Sequence, residues 1–77
     1  MDRRAQIAEI IRAVSKKSAP ADPDESLFDS GLLDSFALPD MVTALEQKFG
    51  IAIPDSDLNP RKFDSISRIE TYLESRL

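Results

Sequence analysis

Apolar side chains recur along the first part of the chain at Ile7, Ile10, Ile11 and Val14, in steps of three and four. That spacing places all four on one face of an α-helix. Asp2 is suited to cap this helix, and Lys16 or Lys17 to end it, since cations suit the negative helix terminus. "SAPADPDES" follows, and its two prolines mark a loop. The loop continues through "LFDSGLL", where Leu27, Phe28, Leu32 and Leu33 are too apolar to remain in water. A long connection anchored in the core by its own side chains is expected.

A second stripe runs through Leu38, Met41, Val42, Leu45 and Phe49, and Gly50 directly after it supplies a stop. "IAIP" is short and extended, and no other segment offers it a strand partner. Asn59 followed by Pro60 is a cap and first-turn signature for a brief helix. Asp64 or Ser65 then caps a last helix with the stripe Ile66, Ile69, Tyr72 and Leu73, extended by Leu77. The pattern predicts an all-α domain over 1–77, with three longer helices, one short helix and a long first connection.

Composition narrows the chemistry. The 77 residues contain no His and no Cys. Disulfides cannot supplement so modest a core. Ser-His-Asp and Cys-His catalysis are excluded, as is zinc held by imidazole or thiolate. Only two glycines are present, too few for a glycine-rich phosphate cradle. "DPDESL" and "DSDLNP" alternate acidic and polar residues like calcium loops. Their sixth positions are Leu27 and Pro60 and their twelfth are Leu33 and Ile66, which supply neither the turn nor the bidentate ligand. No metal site and no catalytic residue is assigned. No long apolar run and no signal-like start is seen, so a soluble, cytoplasmic monomer is expected.

Charge is unevenly placed. Residues 1–17 carry +3, residues 22–57 carry −8 and residues 58–77 carry +1. An acidic middle repels nucleic acid and anionic membranes and suits a partner with a basic face. A solvated face kept for solubility explains the same charge.

The remaining question is Ser35, in the second of two Asp-Ser pairs. By position it is a helix cap, with Asp34 favouring the positive helix end. The surrounding residues add a second reading. "LFDSGLLDSF", then Asp40, Met41 and Val42, then "ALEQKFGIAIP", then "FDSISRIETYL" match a known pattern in order and spacing. From Leu27 to Leu73 the chain resembles the acyl carrier proteins, the phosphopantetheine-binding family.

The resemblance implies a four-helix bundle whose Ser35 carries 4′-phosphopantetheine, installed from coenzyme A by a phosphopantetheinyl transferase. The arm ends in a thiol that holds cargo as a thioester, which accounts for a chain without reactive residues of its own. It further implies an acyl- or aminoacyl-loading ligase and a downstream acyltransferase or synthase as partners, recognised through Asp34, Phe36, Asp40, Met41 and Glu46. On an ideal helix the steps of six between Asp34, Asp40 and Glu46 do not make one row. Ordinary solvated surface is the plain alternative for these three acids, and a bare helical interaction module with unmodified Ser35 is the alternative for the whole chain.

Two departures from the family pattern matter. Pro39 stands where a helix-compatible residue is usual, and inside a helix it would cost about 3 kcal/mol. Regular helix is therefore expected to begin at Phe36 or later, with Pro39 a candidate first residue and Ser35 in a turn ahead of it. Phe36 stands where fatty-acid carriers usually have Leu. With "LLDSF" and "DLNPRKFDSI" it looks more like carriers served by adenylating enzymes, of which D-alanine carriers are the nearest type. Four phenylalanines in a small core would also leave little room for a sheltered acyl chain.

Overall fold

A computed structural model describes residues 3–77, so the expected cap at Asp2 lies outside the described residues. Three α-helices are present: α1 (Arg3–Ser15), α2 (Ala37–Phe49) and α3 (Ile66–Arg76). Helix α1 packs against both α2 and α3. The periodic residues Ile7, Ile10 and Ile11 of α1, Leu38, Met41, Val42 and Leu45 of α2, and Ile66, Ile69 and Leu73 of α3 form one core. Among the described residues there is no strand, and the fold is all-helical.

The expected short helix takes a tighter form, a 3-10 turn over Pro60–Phe63, preceded by another over Asp55–Asp57. The interval explains this. Only four residues separate the cap Asn59 from Asp64, too few to propagate an α-helix, and i→i+3 bonding suits so short a piece. Asn59 accepts from the backbone N–H of Arg61 at 2.9 Å, and Pro60 stands first where its missing N–H costs nothing. Phe63 at its end is fully buried against Tyr72, ring centroids 5.0 Å apart.

Helix ends follow local chemistry. Gly50 closes α2 in the left-handed region at φ 65°, its N–H bonded to the carbonyl of Glu46 at 2.9 Å. Lys16 closes α1 in the same conformation at φ 61°, although it carries a Cβ. Ser65 caps α3 by accepting from the Arg68 N–H at 3.1 Å. Leu77 lies beyond α3 and is exposed, so the last stripe ends at Leu73.

The long connection is fastened to α3 rather than left to wander. The Leu27 N–H donates to the Asp64 carbonyl, and the Ser67 N–H donates to the Pro23 carbonyl at 2.9 Å. The Asp64 carboxylate accepts from the Ser26 hydroxyl at 2.7 Å and from the Phe28 N–H at 3.2 Å. Leu27 and Leu33 enter the core as expected, and Phe28 and Leu32 pack partly against it. Between them Gly31 turns the chain at φ 81°, a conformation glycine adopts freely, and the Leu33 N–H closes back on the Leu27 carbonyl at 2.9 Å.

The expectation of four core phenylalanines is corrected. Phe63 alone is fully buried, Phe28 and Phe49 are partly so, and Phe36 is 86% exposed.

Candidate functional site

Leu33 is buried and Leu38 is buried, so the four residues 34–37 must leave the core, turn and enter α2. The turn is built by Asp34. Its Oδ1 accepts from the N–H groups of Phe36 and Ala37, both at 3.0 Å, and its carbonyl also accepts from Ala37. Those donors would otherwise be orphans of the helix start. Phe36 already has helical angles (φ −76°, ψ −23°), and α2 begins at Ala37.

Pro39 is therefore the third residue of α2 and not its first. At that position in the first turn no intrahelical donor is lost. The pull of Pro39 on Leu38 is overcome by the Asp34 cap on one side and burial of Leu38 on the other.

Ser35 is not the cap. It is exposed, and among the described residues its hydroxyl has no hydrogen-bond partner. The contrast with Ser30, in the other Asp-Ser pair, is direct: that hydroxyl donates to the Leu27 carbonyl at 3.3 Å and accepts from the Leu32 N–H at 3.4 Å. One Asp-Ser pair builds a loop. The other holds an oxygen that the fold does not use, on a turn fixed by its neighbour.

The five positions expected to meet partners separate in space. Asp34, Phe36 and Asp40 line one open groove beside Ser35, about 400 Å³ in volume, with the end of α1 as its other wall. Met41 does not join them; it is 0% exposed, because the α2 stripe that carries Leu38 and Leu45 carries it into the core. Glu46 is half-buried and its carboxylate accepts from the Ile53 N–H at 2.8 Å. That bond satisfies the extended "IAIP" segment, which has no strand to pair with. Periodicity had no means of pairing Glu46 with a residue seven positions on.

The stretches resembling calcium loops use their side chains on the fold. Asp22 accepts from the Asp24 N–H at 2.9 Å. Asp57 accepts from Lys62 at 2.9 Å, from the Tyr72 hydroxyl at 2.7 Å and from Arg76. The Lys62 bond first, then those from Tyr72 and Arg76, hold the Asp57 carboxyl far below the usual carboxylate range. Burial, then the bond to Asp57, pushes the Tyr72 phenol up. None of these groups lines the groove beside Ser35.

The Ser35 hydroxyl is thus exposed on a turn that Asp34 holds, in a chain without His or Cys. The family model for the phosphopantetheine attachment site matches residues 5–73. The chain belongs to that family: it is an acyl or aminoacyl carrier whose cofactor is covalently attached 4′-phosphopantetheine. It is 32% identical to the D-alanyl carrier protein of Lactobacillus acidophilus over 75 residues, 97% of this chain and 95% of that one. The D-alanyl carrier protein of Leuconostoc mesenteroides is 32% identical over the same length, covering 97% and 96%. That of Streptococcus sanguinis is 32% identical over 69 residues, covering 90% and 87%. Among the described residues no helix is long and apolar enough to cross a membrane.

Proposed function

We propose that Ser35 is the attachment residue and that the cargo is D-alanyl or another aminoacyl group. The observation that carries the first point is the Ser35 hydroxyl itself: exposed, without a partner among the described residues, and presented by a turn that Asp34 holds. In the attachment step a bond forms between Ser35 Oγ and the phosphorus that bears the pantetheine in coenzyme A. The pyrophosphate P–O bond breaks, adenosine 3′,5′-bisphosphate leaves, and the hydroxyl proton passes to a base on the transferase. The arm supplies a thiol for thioester chemistry. The chain supplies the anchor and the surface around it, as a single non-catalytic domain over 1–77, monomeric and cytoplasmic.

The aminoacyl reading rests on the similarity to D-alanyl carrier proteins and on Phe36, an exposed aromatic ring directly after the serine. Asp34, Phe36 and Asp40 form the surface offered to the transferase and to an adenylating ligase. Glu46 is left outside that surface because it does not line the groove and one of its carboxylate oxygens serves Ile53, and Met41 because it is buried.

The test is an intact mass after incubation with coenzyme A and a broad-specificity phosphopantetheinyl transferase. The wild-type chain gains one phosphopantetheine and Ser35→Ala gains none. A folded wild-type chain that gains none refutes the assignment and leaves the unmodified interaction module. The loaded chain is then offered D-alanine with its adenylating enzyme, or a fatty acid with an acyl ligase. A thioester formed only in the second mixture refutes the aminoacyl reading.

A further inference from the structure

Ser35 stands between two residues that line the groove, so anything attached to its oxygen starts at the rim of that groove. Val14 of α1, Lys17 just beyond its end and Leu32 of the long connection line it as well. Lys17 is the single cation of a lining that also holds the carboxylates Asp34 and Asp40. Its backbone is held in place: the Lys17 N–H donates to Ser15 Oγ at 3.1 Å, and that hydroxyl donates to the Lys17 carbonyl at 3.2 Å. Its ammonium has no partner among the described residues.

A phosphodiester on Ser35 adds a negative charge beside Asp34 and Asp40, and two of these three anions belong to the fold. The Asp34 carboxylate is already compensated by two backbone donors. The new charge therefore has one complementary group within the groove, the Lys17 ammonium. Beyond the phosphate the arm is made of methyl groups, methylenes, a hydroxyl and amides, and the lining is mostly polar with Val14 and Leu32 in its apolar part, so the polar groups and the methyl groups of the arm both find counterparts there.

Building on the assignment of Ser35, we infer that Lys17 is a binding residue for the arm: it pairs with the phosphodiester and draws the first part of the arm into the groove between α1 and α2. The resting arm then lies toward α1, and partner enzymes must lift it to reach the thiol.

The experiment compares amide spectra of the full chain before and after modification, with the added mass measured on each sample. On modification, the amides of Val14, Ser15, Lys17 and Leu32 shift together with those of residues 34–37. In Lys17→Gln the shifts at the α1 end are lost while the mass is still added. In Lys16→Gln, a neighbouring exposed cation outside the groove, they persist. At about 1 M salt, where screening acts over about 3 Å, they shrink in the wild type. Shifts confined to 34–37, or shifts at the α1 end unchanged by Lys17→Gln, overturn the role of Lys17 and leave the Ser35 assignment standing. A chain that gains no mass overturns both.

Discussion

Asp64→Ala should be among the most damaging single changes to a polar residue. The Asp64 carboxylate accepts from Ser26 and Phe28, 38 and 36 residues away in sequence, and fixes the connection that leads to Ser35. Hydrogen bonds to a charged acceptor contribute about 1.5–3 kcal/mol each when desolvated. Asp64 is half-buried, so the low end applies, and the two together give about 2–3 kcal/mol. Domains of this size are stable by roughly 4–12 kcal/mol, so about a sixth or more is at stake. With a urea slope of about 1 kcal/mol per molar, the denaturation midpoint should fall by about 2–3 M at unchanged slope. Asp64→Asn keeps an acceptor oxygen and loses the charge, so its midpoint should fall about half as far. Ser26→Ala combined with Asp64→Ala should cost less than the sum of the two, because they share one bond. A drop under about 0.5 M for Asp64→Ala, or full additivity with Ser26→Ala, would refute this account of how the connection is held.

Asp34→Ala should lose about 1 kcal/mol in the same assay, as a lost cap does, while Ser35→Ala stays within about 0.5 kcal/mol of wild type. Equal losses would mean that Ser35 is also part of the cap. Lys16→Gly should raise stability by about 1 kcal/mol, since a residue with a Cβ pays for the left-handed conformation there; calorimetry checks this, and a loss contradicts it. The folded-state depression of the Asp57 carboxyl contributes stability that is fully present above its ordinary value of 3.8 and is lost progressively as pH falls below that value toward the lowered one. Asp57→Asn should therefore flatten the acid limb of the stability curve below 3.8 and leave its shape near neutrality unchanged. An unaltered acid limb would show that the contacts to Lys62, Tyr72 and Arg76 do not hold in solution.

The three helical stripes were legible because each is a local repeat of apolar residues with a stop or cap beside it. Leu27 and Leu33 were legible for a different reason, being apolar residues in a loop with nowhere to go but inward. What escaped the sequence depended on contacts between distant segments. Asp64 reads as a cap by its place before "SIS", yet its partners lie in the long connection and Ser65 does the capping. Glu46 reads as surface acid, yet it serves an extended segment that lacks a strand. Met41 belonged to the α2 stripe and to the recognition set at once, and it is buried with the stripe. The start of α2 at Ala37 lies within the expected range of Phe36 or later, with Ser35 in the turn ahead of it; only Pro39 as first residue is overruled, because the cap is supplied from Asp34. At the site, the choice between the two Asp-Ser pairs rested on resemblance alone, since hydroxyl partners are not written in spacing.

The fastening of residues 23–28 to residues 64–67 has a consequence for synthesis on the ribosome. A chain grows from its N-terminus, so Ser35 emerges well before Asp64 and Ser67 exist to anchor the connection behind it. Closing so wide a span is slow compared with winding the local helices. The turn that carries Ser35 thus gains its rear support only once the final helix has docked. A modifying enzyme that requires that support would ignore nascent and truncated chains and mark finished ones.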